Sequence, residues 1–270
     1  MKKVMLGTAF LITLGIGSIQ FENKIKNVTN LLTTNHFQTA LSQAQQLVHI
    51  AEKDGEPEEL GLSYLILGKI YSRLAQYNEA LKYYTKALKI WKDLYGENHP
   101  TVAISYNNIG GVYDSLGQYN KALEYYNKAL KILKNLYPNE NHPAVASSYN
   151  NIGFVYYRLS QSNKALEYYT KALRIWKNLY GESHPAVAIS YNNIGGVYDS
   201  LGQYDKALKY YTKALRIWKN LYGENHPDAA TSYTNIGDVY NKLGQSNKAL
   251  EHYNKAVEIR KRLYLNKNHP

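Results

Sequence analysis

Tyr106-Asn107-Asn108-Ile109-Gly110-Gly111-Val112-Tyr113 decides the reading of this chain, because the pattern returns at Tyr149 to Tyr156, Tyr191 to Tyr198 and Tyr233 to Tyr240, and more loosely at Tyr64 to Tyr71. Its central glycines, Gly68, Gly110, Gly153, Gly195 and Gly237, stand 42, 43, 42 and 42 residues apart. A fixed period of that size signals units that bury their apolar faces only by stacking, a solenoid in place of one globular core. The repeats run almost end to end through the 270 residues, which are therefore read as one elongated domain.

Around the quoted stretch, Ala103, Tyr106, Ile109, Gly110, Tyr113 and Leu116 recur at three- and four-residue steps, the mark of a helix with one buried stripe. Gly117-Gln118 breaks it, and a second helix follows with Ala122, Tyr126, Ala129, Leu130, Leu133 and Leu136 on one face. Gly96, Gly181 and Gly223 are placed to close second helices in the left-handed conformation. Each next helix opens after His99-Pro100, His142-Pro143, His184-Pro185 or His226-Pro227, since proline suits a first turn. Where the closing glycine is absent, at Pro138 and Leu265, the loop gains one residue before its His-Pro. The units so delimited are 58–100, 101–143, 144–185, 186–227 and 228–270, with a degenerate one at 21–57 whose Phe37-Gln38-Thr39-Ala40-Leu41 matches Tyr77-Asn78-Glu79-Ala80-Leu81.

The run Tyr106-x-x-Ile109-Gly110-x-x-Tyr113, then Ala122-x-x-x-Tyr126-x-x-Ala129, resembles the tetratricopeptide repeat. Tyrosine stands where tryptophan is usual there, and Lys92, Lys134, Lys177, Lys219 and Lys261 replace the proline that ends the second helix. Without that stop the second helix runs on about two turns, which accounts for the longer unit. With Leu-Tyr-Gly-Glu-Asn-His-Pro and the paired asparagines, the repeat is similar to those of kinesin light chains and their bacterial relatives. The resemblance implies an all-α, right-handed superhelical solenoid of stacked helix-turn-helix repeats, and a partner-binding scaffold.

Composition narrows the chemistry. There is no cysteine, hence no disulfide, thiolate metal site or cysteine nucleophile. No nucleophile with a partnered base, phosphate-binding glycine loop or metal set is recognisable, and the repeated Gly-Gly lies inside a helix, so neither catalysis nor a cofactor is expected. The His-Pro histidines do not form a metal site, because stacked helices lie about 8–10 Å apart whereas zinc ligands sit within about 2.1 Å of one ion. They are read as loop or cap residues.

Lys2 and Lys3 precede a mostly apolar run from Val4 to Ile16 and the small residues Gly15, Gly17 and Ser18, the layout of a secretory signal peptide over residues 1–17. Cleavage near Gly17 implies export to the periplasm or outside the cell. An uncleaved anchor or a first buried helix, with a cytoplasmic protein in the latter case, are the alternatives.

The formal charge of +11 matters only if the charges cluster. Lys86, Lys128, Lys171, Lys213 and Lys255, with Lys121, Lys164, Lys206 and Lys248 seven residues earlier, form an outward ridge on the second helices. A basic stripe for nucleic acid or membrane competes with a solvated face that also holds Glu124, Glu167 and Glu251. The latter is preferred.

The other candidate surface lies on the first helices. Asn107, Asn108, Gly111, Asp114 and Ser115 share the side opposite the buried stripe, and in tetratricopeptide repeats that side lines the concave groove. The peptide-binding set is Asn107, Asn108, Asn150, Asn151, Asn192, Asn193 and Asn235, with Phe154, Tyr157 and Arg158, which replace Gly111, Asp114 and Ser115 in the central unit. Asparagine amides suit an extended peptide backbone, and equally a ladder between neighbouring helices. An aromatic and arginine cluster suits an anchor. The carboxylate clamp of chaperone-binding relatives is not intact, since Ser147, Ile189, Thr231, Asn151, Asn193 and Asn235 stand in its place and Lys69 alone matches a basic position. The expected partner is a protein or peptide, with self-assembly through Leu263 and Tyr264 at the C-terminal end as a further possibility.

Overall fold

The computed structural model describes residues 19–267, and the leader-like stretch at 1–17 and the final His269-Pro270 lie outside the described residues. The described residues form twelve helices and no strand. They divide into two compact units, residues 1–138 and 139–270. The first unit holds α1 (Ile19–Thr33), α2 (Phe37–Asp54), α3 (Pro57–Arg73), α4 (Tyr77–Tyr95), α5 (Pro100–Ser115) and α6 (Tyr119–Leu136). The second holds α7 (Pro143–Arg158), α8 (Ser162–Tyr180), α9 (Pro185–Ser200), α10 (Tyr204–Tyr222), α11 (Pro227–Lys242) and α12 (Ser246–Lys267). Within each unit consecutive helices pack in pairs, and each pair packs on the next.

Local chemistry sets the helix ends. The imidazole Nδ1 of His99 accepts the Thr101 backbone N–H, and His142, His184 and His226 do the same for Ala144, Ala186 and Asp228, each with proline opening the helix. At the far end of α5, the Gln118 N–H bonds the Tyr113 carbonyl and the Gly117 N–H bonds that of Asp114, with Gly117 at φ +70°. That is a Schellman closure, and it recurs at Ser160, which has φ +57° without being glycine. The second helices end differently from expectation. Gly96, Gly181 and Gly223 have φ +76° with ψ near 180°, so they occupy the extended positive-φ region that only glycine tolerates, and the left-handed helical well is not used there. Nor does a loop begin at Leu265, because α12 continues to Lys267.

The core explains the mid-helix glycines. A Cβ on Gly110 would meet the Tyr126 ring at 2.8 Å, and one on Gly195 would meet Tyr211 at the same distance, so the paired helices touch where no side chain intervenes. Trp91, Trp176 and Trp218 are buried one turn or two beyond. Tyr106, Ile109 and Gly110 lie inward as expected, but Val112 takes the buried place and Tyr113 is only half-buried, with its ring stacked on Tyr125 at 5.4 Å. The helix therefore turns its tyrosine toward the seam with its partner and its valine inward.

Candidate functional site

The seam beside Tyr113 is where the lysine ridge lies. Lys121 sits over the Tyr113 ring at 5.1 Å and Lys128 over Tyr125 at 5.0 Å, and the second unit repeats this with Lys164 on Tyr156 and Lys171 on Tyr168. Lys128, Lys171 and Lys255 also pair with Glu124, Glu167 and Glu251 at 2.6, 2.6 and 2.7 Å. The ridge thus carries its own counter-charges and ring faces.

The asparagine-bearing side of the first helices has a different chemistry. In the first unit Asn107, Asn108, Gly111 and Asp114 on α5 are half-buried and Ser115 is exposed. On α3 the corresponding positions hold Lys69 and Arg73, and burial, reinforced by Arg73, lowers the Lys69 pKa below the ordinary lysine range.

In the second unit this side is built from α7, α9 and α11. Asn193 donates its Nδ2 to Asn150 Oδ1 at 2.8 Å, and Asn235 donates to Asn192 Oδ1 at 2.8 Å. The ladder runs one way, from the second asparagine of a helix to the first asparagine of the helix before. It uses one donor of Asn193 and the acceptor of Asn150, so an amide has capacity beyond the rung. Asn151 stands half-buried beside this row. Asp199 and Lys242 add a rung at 2.7 Å between α9 and α11. Both this pair and the direction of the ladder escaped sequence reasoning, although the 43-residue separations carry the signal.

Phe154 leaves 37% of its surface exposed, with the Arg158 guanidinium over its ring at 6.0 Å. Arg158 is exposed and Tyr157 half-buried on the same helix. The Tyr157 hydroxyl comes within 4.0 Å of where a Gly196 side chain would start, so the tyrosine leans across the gap left by that glycine. Beneath lies Tyr211, whose hydroxyl pKa is pushed well above the usual phenol range by burial and then by Asp199, Tyr157 and Asp238. Chemically, this is a shallow amide-lined surface with one exposed aromatic and cationic projection and a polar gap beside it. The structure brings together Asn150, Asn192, Asn193 and Asn235 as rungs and Phe154 with Arg158 as a cluster.

The tetratricopeptide repeat model matches residues 59–135, 144–220 and 194–262. No curated protein matches the chain. Among solved structures the chain is similar to BtubC (BKLC) from P. vanneervenii, with 29% identity and TM-score 0.73 over 87% of this chain and 94% of that one. It is also similar to nearly identical TPR-like repeats from Podosopora anserina, named after kinesin light chain, with 21% identity and TM-score 0.65 over 77% and 98%. A third similarity is to a Rap protein complexed with Competence and Sporulation Factor, with 18% identity and TM-score 0.64 over 92% and 76%.

Proposed function

The chain belongs to the tetratricopeptide repeat family, with repeats of the kinesin-light-chain type, and from that premise we propose that it is a non-enzymatic scaffold whose first-helix face holds a segment of another protein. The observation that carries this reading is the exposed Phe154 with Arg158 over its ring, beside asparagine amides that keep hydrogen-bonding capacity. An aromatic and a guanidinium lose much solvent-exposed surface when a partner covers them, and such residues dominate interface energies. The amides fix the backbone of the docked segment, while the ring and guanidinium select a side chain.

Replacing Phe154 and Asn151 together by alanine tests the proposal. The double variant should lose capture of the partner from the native host with unchanged helicity, and equal capture by variant and wild type would refute it. Binding of an anionic surface through the lysine ridge is the weaker reading, because the glutamates beside Lys128, Lys171 and Lys255 cancel its charge locally. That mode would show a steep loss of affinity with salt. The leader-like sequence at 1–17 supports an exported scaffold, which the mature N-terminus of the native protein tests directly.

A further inference from the structure

We infer that Lys69 and Arg73 on α3 form a seat for a carboxylate, the side chain of an aspartate or glutamate in a protein segment docked on the first unit. The inference stands on residues of the first unit alone and goes beyond the face around Phe154.

The repeat supplies its own comparison. Lys69 and Arg73 stand two residues before and two after Tyr71, whose carbonyl accepts the Gln76 N–H that closes α3. The same places hold Asp238 and Lys242 around Tyr240 on α11, Gly111 and Ser115 around Tyr113 on α5, and Thr29 and Thr33 around Leu31 on α1. On α11 both charges have partners. Asp238 accepts from the Tyr253 hydroxyl at 2.7 Å, and Lys242 meets Asp199 of the first helix before it at 2.7 Å. On α1 the place of Asp199 is taken by Leu32, so the first helix before α3 offers no carboxylate there.

α3 therefore carries two cations one turn apart, with neutral residues at the matching places on α1 and α5. Among the described residues neither cation makes an ion pair or a side-chain hydrogen bond. Lys69 is half-buried without its ammonium being closed off from solvent, and Arg73 is exposed. Burial, and after it the Arg73 charge, hold the Lys69 pKa down, and no carboxylate acts in the other direction. The Arg73 charge is felt both at Lys69 and at the hydroxyl of Tyr84, whose ring lies against Gly68, which places the three groups together.

Two neighbouring cations, one of them partly desolvated, repel each other until an anion joins them. A carboxylate has two oxygens, and Lys69 and Arg73 can each donate to one. A neutral side chain would cover the ammonium without compensating it, and a cation would add a third like charge. A free small anion gains only these two contacts on an open face, too few to offset its lost freedom. A carboxylate tethered to a segment is held by the rest of that segment as well.

The test uses the full chain and an octapeptide library, N-acetylated and C-amidated so that side chains carry the only carboxylates. Retained peptides are sequenced from wild type, Lys69→Met, Arg73→Gln, Phe154→Ala and Lys89→Gln, the last removing the same charge from an exposed lysine on α4. Lys69→Met keeps a long side chain and removes a half-buried charge, so helicity should be unchanged. Wild type should enrich aspartate or glutamate at one peptide position by about tenfold, the worth of one charge-assisted hydrogen bond. Lys69→Met and Arg73→Gln should each erase that enrichment, and Phe154→Ala and Lys89→Gln should keep it. No acidic enrichment, or one that survives Lys69→Met, or one that falls equally in Lys89→Gln or Phe154→Ala, overturns the inference. A preference seen only in a second library with free C-termini, or peptides displaced by equimolar inorganic phosphate, would assign the pair to a terminal carboxylate or a small anion and overturn it too.

Discussion

Tyr233 donates its hydroxyl to Glu224, nine residues earlier, at 2.6 Å. The same bond joins Tyr191 to Glu182 at 3.1 Å and Tyr149 to Glu140 at 2.7 Å, so the loops before α7, α9 and α11 are each tied to the middle of the helix that follows. The residue inserted near Pro138 falls upstream of Glu140 and leaves the nine-residue span intact. Glu182 and Glu224 also anchor the ends of the helices before them, through Lys177 and Lys219 at 2.7 and 3.1 Å. Glu224→Gln should lower unfolding free energy by about 1 kcal/mol, the lower end for a hydrogen bond to a charged group because the site is solvent-exposed. Tyr233→Phe should cost a similar amount, and the double variant little more, as read by urea denaturation.

Two adjacent glycines in α5 should respond in opposite directions. A Cβ on Gly110 meets the Tyr126 ring at 2.8 Å, whereas one on Gly111 finds only the Tyr126 hydroxyl at 3.5 Å, an ordinary contact. Gly111→Ala is expected to stabilise by about 1 kcal/mol through helix propensity. Gly110→Ala is expected to destabilise by roughly 1–3 kcal/mol through overpacking, despite the same propensity gain. Thermal melts of the two variants check the sign of each.

Ser160 closes α7 at φ +57°, a conformation that costs a residue bearing Cβ roughly 1–2 kcal/mol. Ser160→Gly should therefore raise the melting temperature, in contrast to glycine substitutions inside the helices.

The histidine caps make stability depend on acid. Burial lowers the pKa of His99 and His142 below the ordinary imidazole value of 6.5, and the cap itself needs an unprotonated Nδ1 to accept the backbone N–H. With the folded pKa below the unfolded one, the unfolded chain takes up protons first as pH falls. The caps' contribution is thus full above about 6.5 and is lost as pH drops through the folded values. Unfolding free energy should fall between pH 7 and pH 5, and replacing both histidines by asparagine, which caps without titrating in this range, should flatten that fall.

Much of this architecture was legible in the sequence because it depends on spacing. The 42-residue period fixes the helix pairs, the mid-helix glycines mark close approach, and His-Pro marks each first turn. What escaped depends on partners far apart in sequence or on backbone detail. Val112 against Tyr113 is decided by a fraction of a turn, and both satisfy a three-and-four pattern. Gly96 shows a positive φ that glycine permits in more than one well, and composition does not choose between them. For the asparagines, the sequence placed the amides on one side but could not tell a rung from a ligand contact, since both uses need the same group. The structure supplies the rungs and their direction.

The most direct test of the central claim, that the first-helix face of the second unit receives a protein segment, is site-specific photocrosslinking in the native host. The full chain would carry p-benzoylphenylalanine at position 154 in one sample and, as a control on the lysine ridge, at position 171 in another, with adducts mapped by mass spectrometry. Position 154 should crosslink to one contiguous segment of a partner protein and position 171 should not. Adducts from position 171 with none from position 154 would contradict the claim.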